Sequence, residues 1–251
     1  MTRTLRSMAI GLVLALSGLI ISVLPASADI TEADRATIET MLEDYIRANP
    51  ELVRQVLVDL AQREAEAAME VALTILQNDD GDPFMGNPDA GTVIYEFSDY
   101  NCGYCKRVFV ALRQLIEEDD DIKLVIKEFP ILSQSSLLAA QAAIAAKEQG
   151  VFPAFNVAMM TSRGAVTMDS IMSAAGDAGA DLDRLQRDMT SAEVAMIIER
   201  TRAAARQLDI SGTPGLVIGR EVIPGAIDID QMRDGTSTPF DLEEVKEVQP
   251  F

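Results

Sequence analysis

The chain has 251 residues, 48% of them hydrophobic, with 40 acidic residues, 21 basic residues, no histidine and a net charge of −19. This length and apolar content are sufficient for one substantial domain with an extension. The acidic balance argues against binding to nucleic acids or anionic membranes, because both need basic patches.

Residues 1–28 have the pattern of a secretory signal peptide. Arg3 and Arg6 precede an apolar run from Met8 to Leu24, and Pro25-Ala26-Ser27-Ala28 supplies a small-residue cleavage site. An uncleaved membrane anchor is the alternative, for which the run is marginally long. We therefore expect cleavage after Ala28 and export to the periplasm, with outer-membrane association as a further option.

Residues 29–78 are predicted to form two helices in an N-terminal helical extension. Thr31 to Asp34 resembles a capping box, and Asn49-Pro50-Glu51 ends one helix and opens the next. Apolar residues recur at three- to four-residue spacing across 31–77, so one face of these helices must bury against something. Packing on the following domain and self-association into a homo-oligomer both agree with this pattern.

An α/β domain is predicted for residues 92–233, after a linker at 79–91 that is rich in Gly, Asp and Pro. Its start is predicted to be strand, helix and strand, which together form a right-handed βαβ unit. These elements lie at 92–98, at about 102–117 and at 122–129.

The second half of this domain is predicted to be helical and then to close with a hairpin. Residues 134–208 have helical patterns throughout, and 216–218 and 221–223 form two short apolar runs around a turn. The acidic tail at 234–251 is expected to be loose.

The only two cysteines, Cys102 and Cys105, form a Cys-Gly-Tyr-Cys sequence where a predicted strand meets a predicted helix. Unsatisfied N–H groups at a helix N-terminus stabilise a thiolate. A structural disulfide across two residues closes a strained ring, and a zinc site needs about four ligands, which a chain without histidine or further cysteine does not supply. We therefore predict a redox-active pair without metal or cofactor, in which Cys102 attacks and Cys105 resolves the mixed disulfide.

Glu96 lies in the middle of the apolar strand that precedes the cysteines. One interpretation is an outward-facing residue on a half-exposed strand. If the side chain instead points inward below the cysteines, it becomes a proton acceptor for Cys105 during resolution. Lys123 or Lys127 on the next strand is then its candidate partner.

Thr213-Pro214 lies between Gly212 and Gly215 at the start of a predicted strand. An ordinary turn is one interpretation, since cis bonds are a small minority of X–Pro bonds. A cis bond would present the Thr213 backbone to an extended substrate peptide close to the redox pair. The predicted substrate-binding residues are Thr213, Pro214, Gly103 and Tyr104.

Four separated motifs resemble the active-site segments of the thioredoxin-fold DsbA superfamily: Glu96–Lys106, Lys127–Leu132, Gly212–Gly215 and Val222–Ala226. The resemblance covers about 90–233. The chain is most similar to the DsbA-like outer-membrane-protein and ScsC-like (suppressor of copper sensitivity) group, which also carries an N-terminal helical segment with an Asn-Pro-Glu turn.

The resemblance implies a thioredoxin fold with a helical domain inserted at about 134–208. It also implies a nucleophile at Cys102, a resolving cysteine at Cys105, a buried acid at Glu96 and a cis-proline at Pro214. Two positions depart from the family pattern. Asn156 stands where relatives commonly have histidine, and Ser133 stands where they usually have glycine.

Residues and resemblance together predict a periplasmic thiol–disulfide oxidoreductase that acts on unfolded or misfolded exported proteins, with a DsbB-like or DsbD-like membrane redox partner. Isomerase or reductase is favoured over DsbA-like oxidase. Gly103-Tyr104 and Thr213 resemble the DsbC-type isomerase site, and segment 31–77 offers a means of oligomerising. The alternatives of other classes are a Cu(I)-handling protein that binds copper through its two thiolates and a surface interaction protein that only retains the fold.

Overall fold

The computed structural model describes residues 31–226, so the predicted signal peptide and acidic tail lie outside the described residues. The chain divides into two compact units between Asp59 and Leu60. Within 31–226, no helix combines the length and the apolar character that a membrane crossing requires.

The described residues of the first unit, 31–59, are helical. Helix α1 (Glu32–Ala48) begins with a capping box in which the Asp34 N–H donates to Thr31 Oγ1 and the Thr31 N–H donates to the Asp34 carboxyl. Helix α2 (Pro50–Gln77) follows after Asn49, and its residues 50–59 belong to this unit. No residue of α1 is buried. Among residues 31–59, the large apolar side chains are exposed, namely Ile38, Met41, Leu42, Tyr45, Ile46, Leu52, Val53, Val56, Leu57 and Val58.

The second unit contains a five-stranded sheet. Its strands are β1 (Phe84–Gly86), β2 (Thr92–Ser98), β3 (Ile122–Glu128), β4 (Gly215–Ile218) and β5 (Glu221–Pro224), in the spatial order β1-β3-β2-β4-β5. Strands β2 and β3 are parallel, and helix α3 (Gly103–Glu118) connects them. The other neighbouring pairs are antiparallel. This confirms the βαβ unit and the closing hairpin.

Five helices lie between β3 and β4, as the resemblance implies. They are α4 (Gln134–Lys147), α5 (Phe152–Thr161), α6 (Met168–Asp177), α7 (Leu182–Asp188) and α8 (Ala192–Gln207). Because side chains alternate between the faces of a strand, the sheet has two apolar cores. Ile94 and Ile126 pack with α3 and the inserted helices, whereas Phe97 and Val125 pack with Leu73 of α2.

The structure differs from the sequence prediction within residues 79–91. This segment contains β1, which pairs antiparallel with β3 so that Phe84 lies opposite Val125. A three-residue strand is too short to show alternation, so its partner rather than its own pattern defines it. Helix α2 also reaches the core, because Leu73 and Leu76 are buried.

A buried ion-pair cluster joins this segment to β3 and α8. Lys127 Nζ lies 2.6 Å and Arg200 Nη2 lies 2.8 Å from Asp82 Oδ2. Lys123 Nζ pairs with Asp79 at 2.6 Å. The prediction that Lys123 or Lys127 pairs with Glu96 is therefore wrong. Glu96 aligns with residue 126 of β3, so the two lysines point to the opposite face of the sheet.

Replacing Lys127 with methionine should lower the free energy of unfolding by about 3 kcal/mol, because it leaves Asp82 buried with only one of its two cations. Lys123→Met is the matched control, since the Lys123–Asp79 pair is partly exposed and its loss should cost less than about 1 kcal/mol. Urea unfolding of both variants measures the difference. Equal losses in the two variants would contradict this assignment.

Candidate active site

The two cysteines lie where β2 passes into α3. Cys102 is the N-cap of α3, and Cys105 lies in its first turn. The Cys105 N–H donates to Cys102 Sγ at 3.2 Å. Both residues are free thiols, so the structure represents the dithiol form. The Cys102 sulfur therefore accepts a backbone N–H at the N-terminal end of α3, where the helix dipole is positive.

The Thr213-Pro214 loop reaches the first cysteine. The bond between these residues is cis, and the Cys102 thiol donates to the Thr213 carbonyl oxygen at 3.3 Å. Strand β4 begins directly after this loop and pairs with β2, which fixes the loop beside α3. The structure therefore brings together the two segments that the sequence analysis singled out.

Glu96 is fully buried on the sheet face that α3 covers. Burial raises its pKa to about 7, and the nearby Ser98 hydroxyl offsets only part of that rise, although no hydrogen bond of normal geometry joins the two side chains. Burial and the Glu96 carboxyl together raise the pKa of the Cys105 thiol well above its usual range. A buried thiol that resists ionisation therefore lies near a carboxyl group able to take its proton near neutral pH.

Sequence reasoning missed a second buried acid, Glu128, at the end of β3. Its Oε1 accepts a hydrogen bond from the Tyr100 hydroxyl at 3.0 Å. Burial, chiefly, raises the pKa of Glu128 well above its usual range, and the neighbouring Asp99, Glu96 and Asp82 carboxyls add to the rise. Glu96 and Glu128 are thus two interacting buried acids on the same face of the sheet. Neither carboxyl forms an ion pair within residues 31–226.

Asp99 holds the loop before Cys102 in place through main-chain donors. Its Oδ1 accepts from the Asn101 N–H at 2.8 Å. Its Oδ2 accepts from the Ile131 and Leu132 N–H groups at 3.0 and 3.1 Å. We call this set of three hydrogen bonds the Asp99 clamp. It joins the cysteine loop to the loop between β3 and α4.

The two departures from the family pattern both have structural roles. Ser133 is the N-cap of α4, and its hydroxyl accepts from the Asn101 side chain at 3.0 Å. Asn156 is buried in α5, and its Nδ2 donates to the Met85 sulfur at 3.4 Å. Ser133 therefore supports the loop that carries Cys102, while Asn156 joins α5 to β1.

Several solved structures resemble this chain, among them the following three. A thioredoxin-like oxidoreductase from Silicibacter pomeroyi is 37% identical, with a TM-score of 0.63 over 65% of this chain and 94% of that chain. ScsC from Proteus mirabilis in a transitional conformation is 26% identical, with a TM-score of 0.63 over 87% and 100%. The thiol-disulfide exchange protein α-DsbA2 from Wolbachia pipientis is 26% identical, with a TM-score of 0.58 over 73% and 98%.

Curated relatives and a family match complete the comparison. A Na⁺/H⁺ antiporter, NhaA 1 of Salinispora arenicola, is 24% identical over 185 residues, which are 71% of this chain. The chain spans only 28% of the length of that relative. Residues 78–235 match the family described as Thioredoxin. The chain therefore belongs to the thioredoxin family, and it has the DsbA-like form of the fold with an inserted helical domain.

Proposed function

We propose that this protein is a periplasmic thiol–disulfide oxidoreductase of exported proteins. The observation that carries the proposal is the site itself: Cys102 caps a helix, receives the Cys105 N–H and contacts the Thr213 carbonyl above the buried Glu96. Similarity to a thioredoxin-like oxidoreductase and to a thiol-disulfide exchange protein supports this chemistry. Its periplasmic location is inferred from the leader-like residues 1–28 and from the fact that protein disulfides, its proposed substrates, persist in oxidising compartments.

In the reducing direction, the Cys102 thiolate attacks one sulfur of a client disulfide. A Cys102–client disulfide forms, and the other client sulfur leaves as a thiolate. Cys105 then gives its proton to Glu96 and attacks the Cys102 sulfur, which releases the second client thiolate. The client gains two electrons, and the Cys102–Cys105 disulfide forms. A reduced membrane partner of the DsbD type would restore the dithiol.

We favour isomerase or reductase over oxidase as the physiological activity. The argument rests on the exposed apolar side chains of α1 and of α2 residues 50–58, which offer a surface for self-association. An oligomer places several redox sites around one client, so a released client thiol is recaptured before it diffuses away. The roles of Gly103, Tyr104, Thr213 and Pro214 in client binding belong to the same proposal.

Deleting residues 29–59 from the mature chain should convert an oligomer to a monomer and lower the reshuffling of scrambled ribonuclease by about tenfold. The deletion stops at 59 because Leu73 and Leu76 belong to the core. Light scattering after gel filtration measures the mass. Reduction of insulin by the shortened protein should persist, since the redox pair is intact.

Point substitutions provide a matched form of this experiment. Leu42→Asp and Leu57→Asp place charge in the exposed apolar surface and should also yield monomers, whereas Glu43→Gln changes an exposed polar position of α1 and should not. A shortened monomer that reshuffles ribonuclease at the full rate would refute the role of this segment. Disulfide formation in reduced ribonuclease without reshuffling would favour the oxidase.

A further inference from the structure

Exposed acidic residues are absent from four segments that meet at the loop carrying Cys102. The acids that bond to this loop, Asp99 and Glu128, are both buried. The chain holds 40 acidic residues, yet four stretches contain no Asp or Glu at all. These stretches are 100–116, 129–147, 149–168 and 210–220.

Hydrogen bonds place all four stretches at one surface. The Asp99 clamp brings Ile131 and Leu132 to the cysteine loop, and Asn101 Nδ2 donates to Ser133 Oγ. Two further bonds join the third and fourth stretches to the first. They are Lys106 Nζ to the Ser162 carbonyl at 2.8 Å and the Cys102 thiol to the Thr213 carbonyl at 3.3 Å.

Burial explains only part of this pattern. Helices α4 and α5 have largely apolar buried faces, where charge is disfavoured in any protein. The solvent-exposed positions around Cys102 lack acids as well. They include Asn101, Gly103, Tyr104, Gln134, Ser211 and Gly212. The carboxyls of Glu96, Asp99 and Glu128 lie beneath this surface and are buried.

Three cations stand at the same surface. They are Lys106, Arg107 and Arg163. The guanidinium carbon of Arg107 lies 4.2 Å from the centre of the Tyr104 ring. Lys106 donates to the carbonyl of Ser162, the residue directly before Arg163. Within residues 31–226, none of these three forms an ion pair. Tyr104, Leu132 and Ile131 add apolar area, with 58%, 53% and 41% of each side chain exposed. The surface is thus cationic and apolar on a strongly acidic protein.

We propose that this surface selects client segments whose cysteine is flanked by acidic and apolar side chains. The proposal rests on the proposed function and names its substrate class. At physiological ionic strength the screening length is about 8 Å, so an approaching client responds to the local cations rather than to the net charge. Elsewhere the acidic surface repels the same segment, which favours approach to Cys102.

This surface acts on the first step of the exchange, in which Cys102 attacks the client disulfide. The Cys102 thiolate forms a bond to a client sulfur while the client S–S bond breaks, and the departing client thiolate keeps the electron pair. Arg107 and Arg163 contact the acidic flank of the client and hold the attacked sulfur near Cys102. They are positioning residues, since they do not touch the sulfur atoms.

The test compares three cyclic disulfide peptides that are identical except for Glu, Gln or Lys beside the cysteine. The full mature protein, reduced beforehand, should reduce the Glu peptide about tenfold faster than the Lys peptide at low ionic strength. The difference should shrink in 1 M salt, where the screening length is about 3 Å. Arg107→Glu with Arg163→Glu should reverse the order of the peptides.

Arg187→Glu is the matched control, because it reverses an exposed cation of α7, outside the four stretches, and should leave the order unchanged. Arg107→Gln with Arg163→Gln gives a second test with a smaller change in charge, and it should abolish the preference. Equal reduction of all three peptides at low salt would overturn the inference and leave the exchange activity intact. Failure to reduce any peptide would refute the proposed function and this inference with it.

Discussion

Replacing Cys102 with serine should abolish disulfide reduction, by at least about a thousandfold, because the attacking sulfur is lost. Replacing Cys105 with serine should instead preserve the first attack and trap the client on Cys102. The two variants should differ because the two cysteines lie at different places in α3 and are buried to different extents. Cys102 caps α3 and retains some exposure, whereas Cys105 is fully buried in the first turn. A client sulfur therefore meets Cys102 first.

Insulin reduction measures the loss of activity, and non-reducing gels with mass spectrometry detect the trapped species. The Cys105→Ser variant should accumulate a client adduct that dithiothreitol releases, while the Cys102→Ser variant should form none. Trapping by Cys102→Ser and not by Cys105→Ser would show that the two roles are reversed.

Glu96→Gln should slow the resolving step by about a hundredfold, because glutamine cannot take the proton of Cys105. In the natural chain this step should accelerate as pH rises through about 7, where the Glu96 carboxyl ionises. The variant should lack that inflection. Stopped-flow measurement of release from a preformed Cys102–client disulfide, repeated across pH, isolates the step. An unchanged inflection would assign the proton acceptor to another group.

The same substitution should stabilise the protein at alkaline pH. The pKa of Glu96 is about 7 in the folded chain, against an ordinary value of 4.5. Between these values the folded chain holds a proton that the unfolded chain releases, so the free energy of unfolding falls as pH rises through this window. Above pH 7 the full penalty is about 3 kcal/mol, and Glu96→Gln removes it.

Urea unfolding at pH 5 and pH 8 tests this expectation. The gain in Glu96→Gln should be present at pH 8 and small at pH 5. Glu221→Gln is the control, since that carboxyl is exposed on β5 and its loss should leave the pH dependence unchanged. A variant that loses stability at pH 8 would contradict the burial argument.

The position of the two cysteines at the start of α3 was predictable because it depends on neighbouring residues in the chain. An apolar alternating run, two cysteines two residues apart and a helical pattern are all local signals. The starts of four of the five inserted helices follow for the same reason, since Ser133, Thr167, Asp181 and Ser191 supply side-chain N-caps to α4, α6, α7 and α8.

Features that depend on strand register were not predictable. The sequence places Glu96 near two lysines, but parallel pairing puts Lys127 on the opposite face, where Asp82 binds it. The Tyr100–Glu128 bond joins residues 28 positions apart, and no local pattern marks either of them. Strand β1 has three residues and is defined by its pairing with β3.

The Asp99 clamp fixes the course of the loop between β3 and α4 without using that loop's side chains. The carboxylate binds only backbone N–H groups, so the side chains of Ile131 and Leu132 take no part in holding the loop. These two positions can therefore be exchanged in a library while the loop keeps its course beside Cys102. Under the proposed function, these two positions offer a site for changing client choice without altering Cys102, Cys105, Glu96 or Glu128.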